Sequence, residues 1–429
     1  MKKKVIVKGP ALSASGYGEH ARFVLRALRN KEDIFDIYLQ NIEWGKTAWI
    51  YEESEERTWI DSLILKTQLL FNSKQQVKFD YSLQVTIPNE FENMAEKNIG
   101  VTAGIETHKV APLWLQKCNE MDRIIVVSEH ARNGFVNTSY ELVDHNKHPV
   151  AVLRCETPVD VVGYPVKDIG QSGAKFEFST DFNFLSVALW GERKNMVNLI
   201  KSFVEEFREE ENVGLVLKTA VVSGSTYDKL MTENMLKAIL REQGEMKCKV
   251  YLLHGRLSEE EMTTLLNHEK IKCMATIAHG EGFGLPLFEA AYNGLPIVTT
   301  DWGGQLDFLY APQKDKKGKT KKKGLFGKVT YDLKHVQKGS VWKDVIVPDS
   351  MWAFPSNNST KTKMREVYKD YNLALSKARK LKNFVLEEFS QERMYEKLTN
   401  CVYVPTKEEF IQFEKNAEWD SDVVEMGEL

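Results

Sequence analysis

The chain has 429 residues, more than one hydrophobic core ordinarily organises, so two domains with a cleft between them are the expectation. Hydrophobic residues make up 42% and charged residues 28%, a balance that excludes a disordered or fibrous chain. With 58 basic and 61 acidic residues the net charge is -3, which excludes a global field that recruits polyanions; an anionic ligand has to be held locally.

The opening Met1-Lys2-Lys3-Lys4 resembles the basic start of a signal peptide, but only Val5, Ile6 and Val7 precede the next lysine, so the segment reads as a first strand. Ala21, Val24, Leu25 and Leu28 recur at helical spacing and predict a helix over 19–30. The strand-then-helix order repeats: 124–127 before 129–135, 184–189 before 195–208, 214–217, then 250–253 before 258–267. Such alternation predicts parallel sheets flanked by helices. Residues 151–153 read as the last N-terminal strand, and the turn-rich 162–173 as the domain linker. The expected architecture is two doubly wound α/β domains whose strand ends face one cleft.

No apolar run approaches the ~20 residues that span a bilayer. Five scattered cysteines, Cys118, Cys155, Cys248, Cys273 and Cys401, form no C-x-x-C pair and read as reduced thiols of a cytoplasmic protein. Residues 314–323 hold seven lysines and one aspartate. No aromatic residue is interleaved there to stack bases, so a mobile, solvated loop is the expectation, with nucleic acid or anionic lipid as the rival partners. From residue 407 the chain reads as a helix followed by an acidic tail.

The segment richest in chemistry is His279-Gly280-Glu281-Gly282-Phe283-Gly284-Leu285-Pro286-Leu287-Phe288-Glu289. Pro286 suits a first helical turn, and the glycines before it permit close backbone approach by a ligand at a helix start that favours anions. Glu281 and Glu289 flank that start, where carboxylates can accept sugar or ribose hydroxyls. A glycine turn with two solvated glutamates is the bland alternative.

The string E-G-F-G-L-P-L-F-E, with Thr300-Asp301-Trp302-Gly303-Gly304 after it, resembles the E-x7-E region of retaining GT-B glycosyltransferases. That resemblance implies two Rossmann-like domains: residues 1–172 for the acceptor and 173–389 for the nucleotide-sugar donor, with a final helical segment, about 390–429, packed back on the first. It implies that Glu289 holds the donor ribose and Glu281 the donor sugar. Gly282, Phe283, Gly284 and Leu285 would face the diphosphate or sugar.

Ser186 to Asn195 continues the likeness, with Arg193 and Lys194 placed to neutralise a departing diphosphate. Many members of the family carry an arginine five residues before this lysine; here the residue is Leu189, so either Arg193 substitutes or one phosphate contact is missing. Lys218 and Arg256 occupy further family-like basic positions, although Ser258 and Glu261 also make a plain capping box. In Ser15-Gly16-Tyr17-Gly18, Gly16 and Gly18 resemble the loop that closes over the phosphates, and the string is not a dinucleotide fingerprint. His108, in Gly104-Ile105-Glu106-Thr107-His108, is placed to touch the transferred sugar or the acceptor.

The implied activity is retaining transfer from a UDP- or GDP-sugar to an acceptor hydroxyl, on a glycan or lipid-linked saccharide, with no obligatory cofactor and no metal. Asp420-Ser421-Asp422 has metal-site spacing but reads as a solvated tail. Rival readings are a transferase acting on a hydroxymethylated nucleic-acid base, a nucleotide-sugar epimerase or phosphorylase sharing the fold, and an inactive sugar-nucleotide binder.

Overall fold

The structure is a computed structural model that describes residues 2–45, 47–73, 77–222, 224–314 and 318–404. The N-terminal half runs β1 (Lys3–Gly9), α1 (Gly16–Arg29), β2 (Phe35–Asn41), α2 (Glu55–Asn72), β3 (Tyr81–Val85) and β4 (Lys97–Thr102). It continues with α3 (Pro112–Asn119), β5 (Arg123–Val126), α4 (Glu129–Val136), β6 (Ser139–Val143), β7 (Pro149–Arg154) and β8 (Val159–Val161). These build a six-stranded parallel sheet in the order β2-β1-β3-β4-β5-β8. Val5, Ile6 and Val7 of β1 are all buried, as expected of a strand covered on both faces.

The C-terminal half repeats the plan with β9 (Phe182–Val187), α5 (Met196–Phe207), β10 (Val213–Thr219), α6 (Thr226–Gln243), β11 (Lys249–His254) and α7 (Glu259–Leu266). Then come β12 (Ile271–Thr276), α8 (Leu285–Asn293), β13 (Ile297–Thr300), α9 (Leu306–Leu309), β14 (Tyr310–Lys314), β15 (Thr320–Gly324) and β16 (Gly327–Val329). The sheet order is β11-β10-β9-β12-β13-β16, again parallel. The chain ends through β17 (Tyr331–His335), β18 (Met351–Pro355), α10 (Asn357–Lys369), α11 (Tyr371–Glu388) and α12 (Gln391–Val402). Helix α12 returns to the N-terminal half, where Tyr395 packs against Phe23 and Tyr403 against Tyr81, each with ring centroids 6.0 Å apart.

Both sheets are doubly wound. Strand order reverses between β1 and β3 in the first and between β9 and β12 in the second, and the crevice beyond those carboxyl ends is where open α/β sheets take ligands. The loops after β9 and β12 are therefore brought together although about ninety residues of chain separate them.

Three local expectations are corrected. Residues 151–153 lie in β7, which pairs antiparallel with β6 outside the main sheet, and the strand that closes the sheet is the short β8. Hairpin formation explains this: the apolar alternation at Val150 and Val152 faces solvent on an exposed β6–β7 ribbon, 63% and 59% exposed. Of the lysine segment, expected as a solvated loop, Lys314 and Thr320–Lys323 lie in the antiparallel pair β14–β15. Helix α1 also begins three residues before the apolar spacing, because the Ser15 side chain accepts the Gly18 amide hydrogen and caps it. The helix and tail expected from residue 407 lie outside the described residues, as do Asp420 and Asp422.

Candidate functional site

The loop after β12 carries Glu281, and the loop after β9 carries Arg193 and Lys194. Lys194 Nζ donates to one Glu281 oxygen at 2.6 Å, and Arg193 Nη1 donates to the other at 3.3 Å and to the Gly280 carbonyl at 2.8 Å. Across the cleft, Arg193 Nη2 lies 3.2 Å from a Glu106 carboxylate oxygen in the loop after β4. Burial opposes ionisation of Glu281, but Lys194 and Arg193 outweigh it and hold the carboxyl below its usual range. Burial and the Arg193 charge push the Lys194 ammonium down against the pull of Glu281. Two cations and two carboxylates, one of them from the other half, thus close a largely shielded network around the buried Glu281.

Helix α8 starts beside this network. Gly284 is its N-cap at φ 88°, with no side-chain cap, so the first-turn amides of Leu285 and its neighbours offer donors to an anion. The start of α1 faces it: a Cβ on Gly16 would lie 4.0 Å from the Leu285 side chain. Two helix N-termini therefore meet across the cleft, a favourable place for a negatively charged group.

The carboxyl of Glu289, one turn into α8, has no hydrogen-bonded or ion-paired partner among the described residues, while its carbonyl accepts from Asn293 Nδ2 at 2.9 Å. Burial pushes its carboxyl up to about 7, with Lys167 and Lys218 pulling the other way. Burial lowers Lys218 in turn, opposed by Glu289. Lys167, from the segment joining the halves, pairs with Glu19 of α1 at 2.9 Å and Glu259 of α7 at 2.6 Å. The ionisable groups thus divide into an ion-paired set at Glu281 and a second set around the unpartnered Glu289.

The remaining glycines have a different reason from the one the sequence suggested. A Cβ on Gly280 would sit 2.2 Å from the Glu106 carbonyl oxygen, and one on Gly282 would sit 2.7 Å from that of Ala103. The Gly282 carbonyl accepts the Ser128 hydroxyl at 2.6 Å. These glycines admit the backbone of the other half of the chain. Gly18 is likewise fixed by the Ser13 carbonyl, 1.9 Å from its missing Cβ. Phe283 points into an aromatic cluster with Phe288, Phe308 and Tyr164 and offers the cleft no side chain.

His108 turns to β18: its Nδ1 accepts the Met351 amide hydrogen at 2.9 Å, its own amide donates to Met351 O at 3.0 Å, and burial lowers its pKa. Arg256 is exposed and bridges to Glu52 at 3.2 Å. Leu189 is 56% exposed and presents nothing in place of the missing arginine. Sequence reasoning missed Glu106, Ser128 and Lys167, which join the halves. It also missed His130, which packs edge-on to Trp302 at 4.6 Å and is pushed by burial down to about 4. Ser128, His130 and Lys167 lie in no motif; Glu106 falls within the 104–108 string quoted for His108, and the positions of Glu106 and Ser128 after strands carried the remaining signal.

Residues 171–312, spanning β9 to β13, match the family model of the glycosyl transferases group 1. Among solved structures, the chain resembles the Anabaena protein HepE, solved with UDP and glucose, at a TM-score of 0.58 and 11% identity, covering 93% of this chain and 99% of that one. It resembles sucrose-phosphate synthase from Thermosynechococcus elongatus at a TM-score of 0.57 and 11% identity, covering 98% and 100%. The apo lipopolysaccharide outer core galactosyltransferase WaaB follows at 0.50 and 12% identity, covering 93% and 99%. No curated protein matches the chain in sequence.

Fold and match together give the class: two Rossmann-like sheets about a cleft, the GT-B architecture of these solved structures, with a region that matches the glycosyl transferases group 1. No described helix is long and apolar enough to cross a membrane.

Proposed function

We propose that the protein transfers a sugar from a UDP- or GDP-sugar to an acceptor hydroxyl with retention of anomeric configuration. The observation that carries this reading is the pairing of Glu281 with Lys194 and Arg193 beside the uncapped start of α8. It sets a carboxylate for sugar hydroxyls and two cations for phosphate within one buried cluster. HepE has been solved with UDP-glucose, which supports a donor of that chemistry.

In this reading residues 1–172 take the acceptor, a glycan or lipid-linked saccharide, residues 173–389 take the donor, and α12 ties the last segment to the first half. The diphosphate lies between the starts of α8 and α1, near Gly16, Gly282, Gly284 and Leu285, and Glu289 accepts the two ribose hydroxyls. Lys218 adds positive charge to the nucleotide side, with Arg256 at its rim. His108 orients the sugar or acceptor from the opposite wall. As the glycosidic bond breaks, negative charge grows on the diphosphate, and Lys194 and Arg193 stabilise it most at that moment. The leaving phosphate oxygen takes the acceptor proton, so no separate carboxylate base is required, and neither is a metal.

The test is release of nucleoside diphosphate from a panel of UDP- and GDP-sugars with EDTA present, followed by NMR assignment of the anomeric product. Turnover that vanishes with EDTA and returns with manganese, or an inverted anomer, overturns the reading.

A further inference from the structure

The β14–β15 ribbon leaves the fold at the rim of the cleft. It begins at Tyr310, directly after α9, whose Asp307 accepts the Glu129 amide hydrogen from the N-terminal half at 2.8 Å. Register pairs Gln313 with Lys321 and Ala311 with Lys323, so the pleat places Lys321 and Lys323 on one face. The pairs Lys314 with Thr320 and Pro312 with Lys322 place Lys314 and Lys322 on the other. All four lysines are exposed, and none has a side-chain hydrogen bond or ion pair among the described residues. At the ribbon's base a groove of about 550 Å³ runs between Gly324–Lys328 and helices α10 and α11, with Lys328, Lys363, Lys369 and Lys377 on its walls beside Glu366 and Asp370, and Lys363 paired to Glu366 at 2.8 Å.

We propose that this ribbon is a docking site for double-stranded nucleic acid, with its lysines on the phosphates. Three consecutive lysines on an exposed strand repel one another and disfavour the strand, so in a chain of net charge -3 they make a local positive patch that a polyanion would neutralise. Lysines that merely guard a free edge against aggregation need not occupy both faces. A flat bilayer meets one face of a ribbon. The major groove, about 12 Å wide, admits a two-stranded ribbon and sets phosphates on both of its walls. The lack of interleaved aromatic residues disfavours stacking on single-stranded bases and fits recognition of a duplex backbone without regard to sequence. On the function proposed above, a duplex held there lies alongside the acceptor half of the cleft.

The experiment measures fluorescence anisotropy of a fluorescein-labelled DNA duplex of about two helical turns, titrated with the full chain from about 50 to about 200 mM salt. Wild type should bind with a steep salt dependence. K321Q/K322Q/K323Q should bind at least about tenfold more weakly at the lower salt, with a log–log slope shallower by about three. K314Q/K322Q should also weaken binding, since that face meets the other wall. Absence of wild-type binding at low salt, equal affinity and slope in the triple variant, or binding of phosphatidylserine vesicles but not of duplex would each overturn the proposal. Donor hydrolysis, measured alongside, should be unchanged in both variants, which shows that they fold. Its absence from wild type would remove the glycosyl-transfer reading while leaving the duplex result standing.

Discussion

Arg193 Nη2 stands 3.2 Å from the Glu106 carboxylate, joining the loop after β9 to the loop after β4 across the cleft. Each side chain is about three-quarters shielded from solvent, so the pair is weakly screened. Glu106 therefore competes for the cation that a diphosphate needs. Glu106→Gln removes one negative charge and should tighten binding of a nucleoside diphosphate about fivefold, on the order of 1 kcal/mol. Isothermal titration with UDP and GDP checks this; weaker binding would mean that Glu106 positions Arg193 for the ligand instead of competing with it.

On the proposed ribose contact, Glu289 should make donor binding pH-dependent. Its carboxyl, pushed up to about 7 by burial, is largely protonated below that pH and ionised above it. Only the ionised form accepts two ribose hydroxyls, with charge-assisted bonds worth roughly 1.5–3 kcal/mol each. Donor affinity should rise as pH climbs through about 7 and then level off, and Glu289→Gln should bind weakly and flatly across the range. The raised pKa also costs the folded state stability above the ordinary glutamate range, about 4.3, and the cost grows until about pH 7. Glu289→Gln should accordingly melt higher than wild type at pH 8 and no higher at pH 4. Identical pH profiles for the two proteins would remove Glu289 from the ribose.

Gly280 tests the approach of the two halves. An added Cβ would meet the Glu106 carbonyl oxygen at 2.2 Å, closer than a non-bonded carbon and oxygen can sit, so the loops after β4 and β12 have to part. Gly280→Ala should reduce transfer at least tenfold and enlarge the radius of gyration in solution scattering, with little change in melting temperature. Normal turnover would show that the cleft works without this contact.

Legibility in the sequence followed locality. The start of α8 announced itself because Gly284 and Pro286 are strong punctuation within one short string, and the α7 capping box of Ser258 and Glu261 formed as its spacing predicts. The meeting of Glu281 with Lys194 and Arg193 was reachable only through family resemblance, since it depends on β9 and β12 being neighbours at the switch point, a non-local pairing. Glu106 and Lys167 were hidden for the same reason: each is a lone charged residue whose partners come from another part of the chain. Lysine's poor strand propensity pointed away from β15, where register with β14 overrode it. The glycines at 280 and 282 were visible, but a sequence does not say whether a ligand or another backbone comes close.

Lys194 should matter most to the rate. Its ammonium lies 2.6 Å from Glu281 Oε1, in a buried position from which it can pass to the diphosphate as that group gains charge. An interaction that strengthens in the transition state lowers turnover when removed and alters the Michaelis constant little. Lys194→Ala should therefore cost on the order of 3 kcal/mol of activation free energy, roughly a hundredfold in kcat. The alternative role, in which Lys194 only orients Glu281, is separated by a double-mutant cycle. If orientation were its whole function, Lys194→Ala/Glu281→Gln would be no slower than Glu281→Gln alone; if Lys194 acts on the leaving group, the two losses should combine to a large extent. Arg193→Ala serves as the comparison, because its guanidinium is already engaged by Gly280 O, Glu281 and Glu106 and has less freedom to follow the phosphate. Its loss should be smaller than that of Lys194, and equal losses would mean that Arg193 has taken over the phosphate contact absent at Leu189.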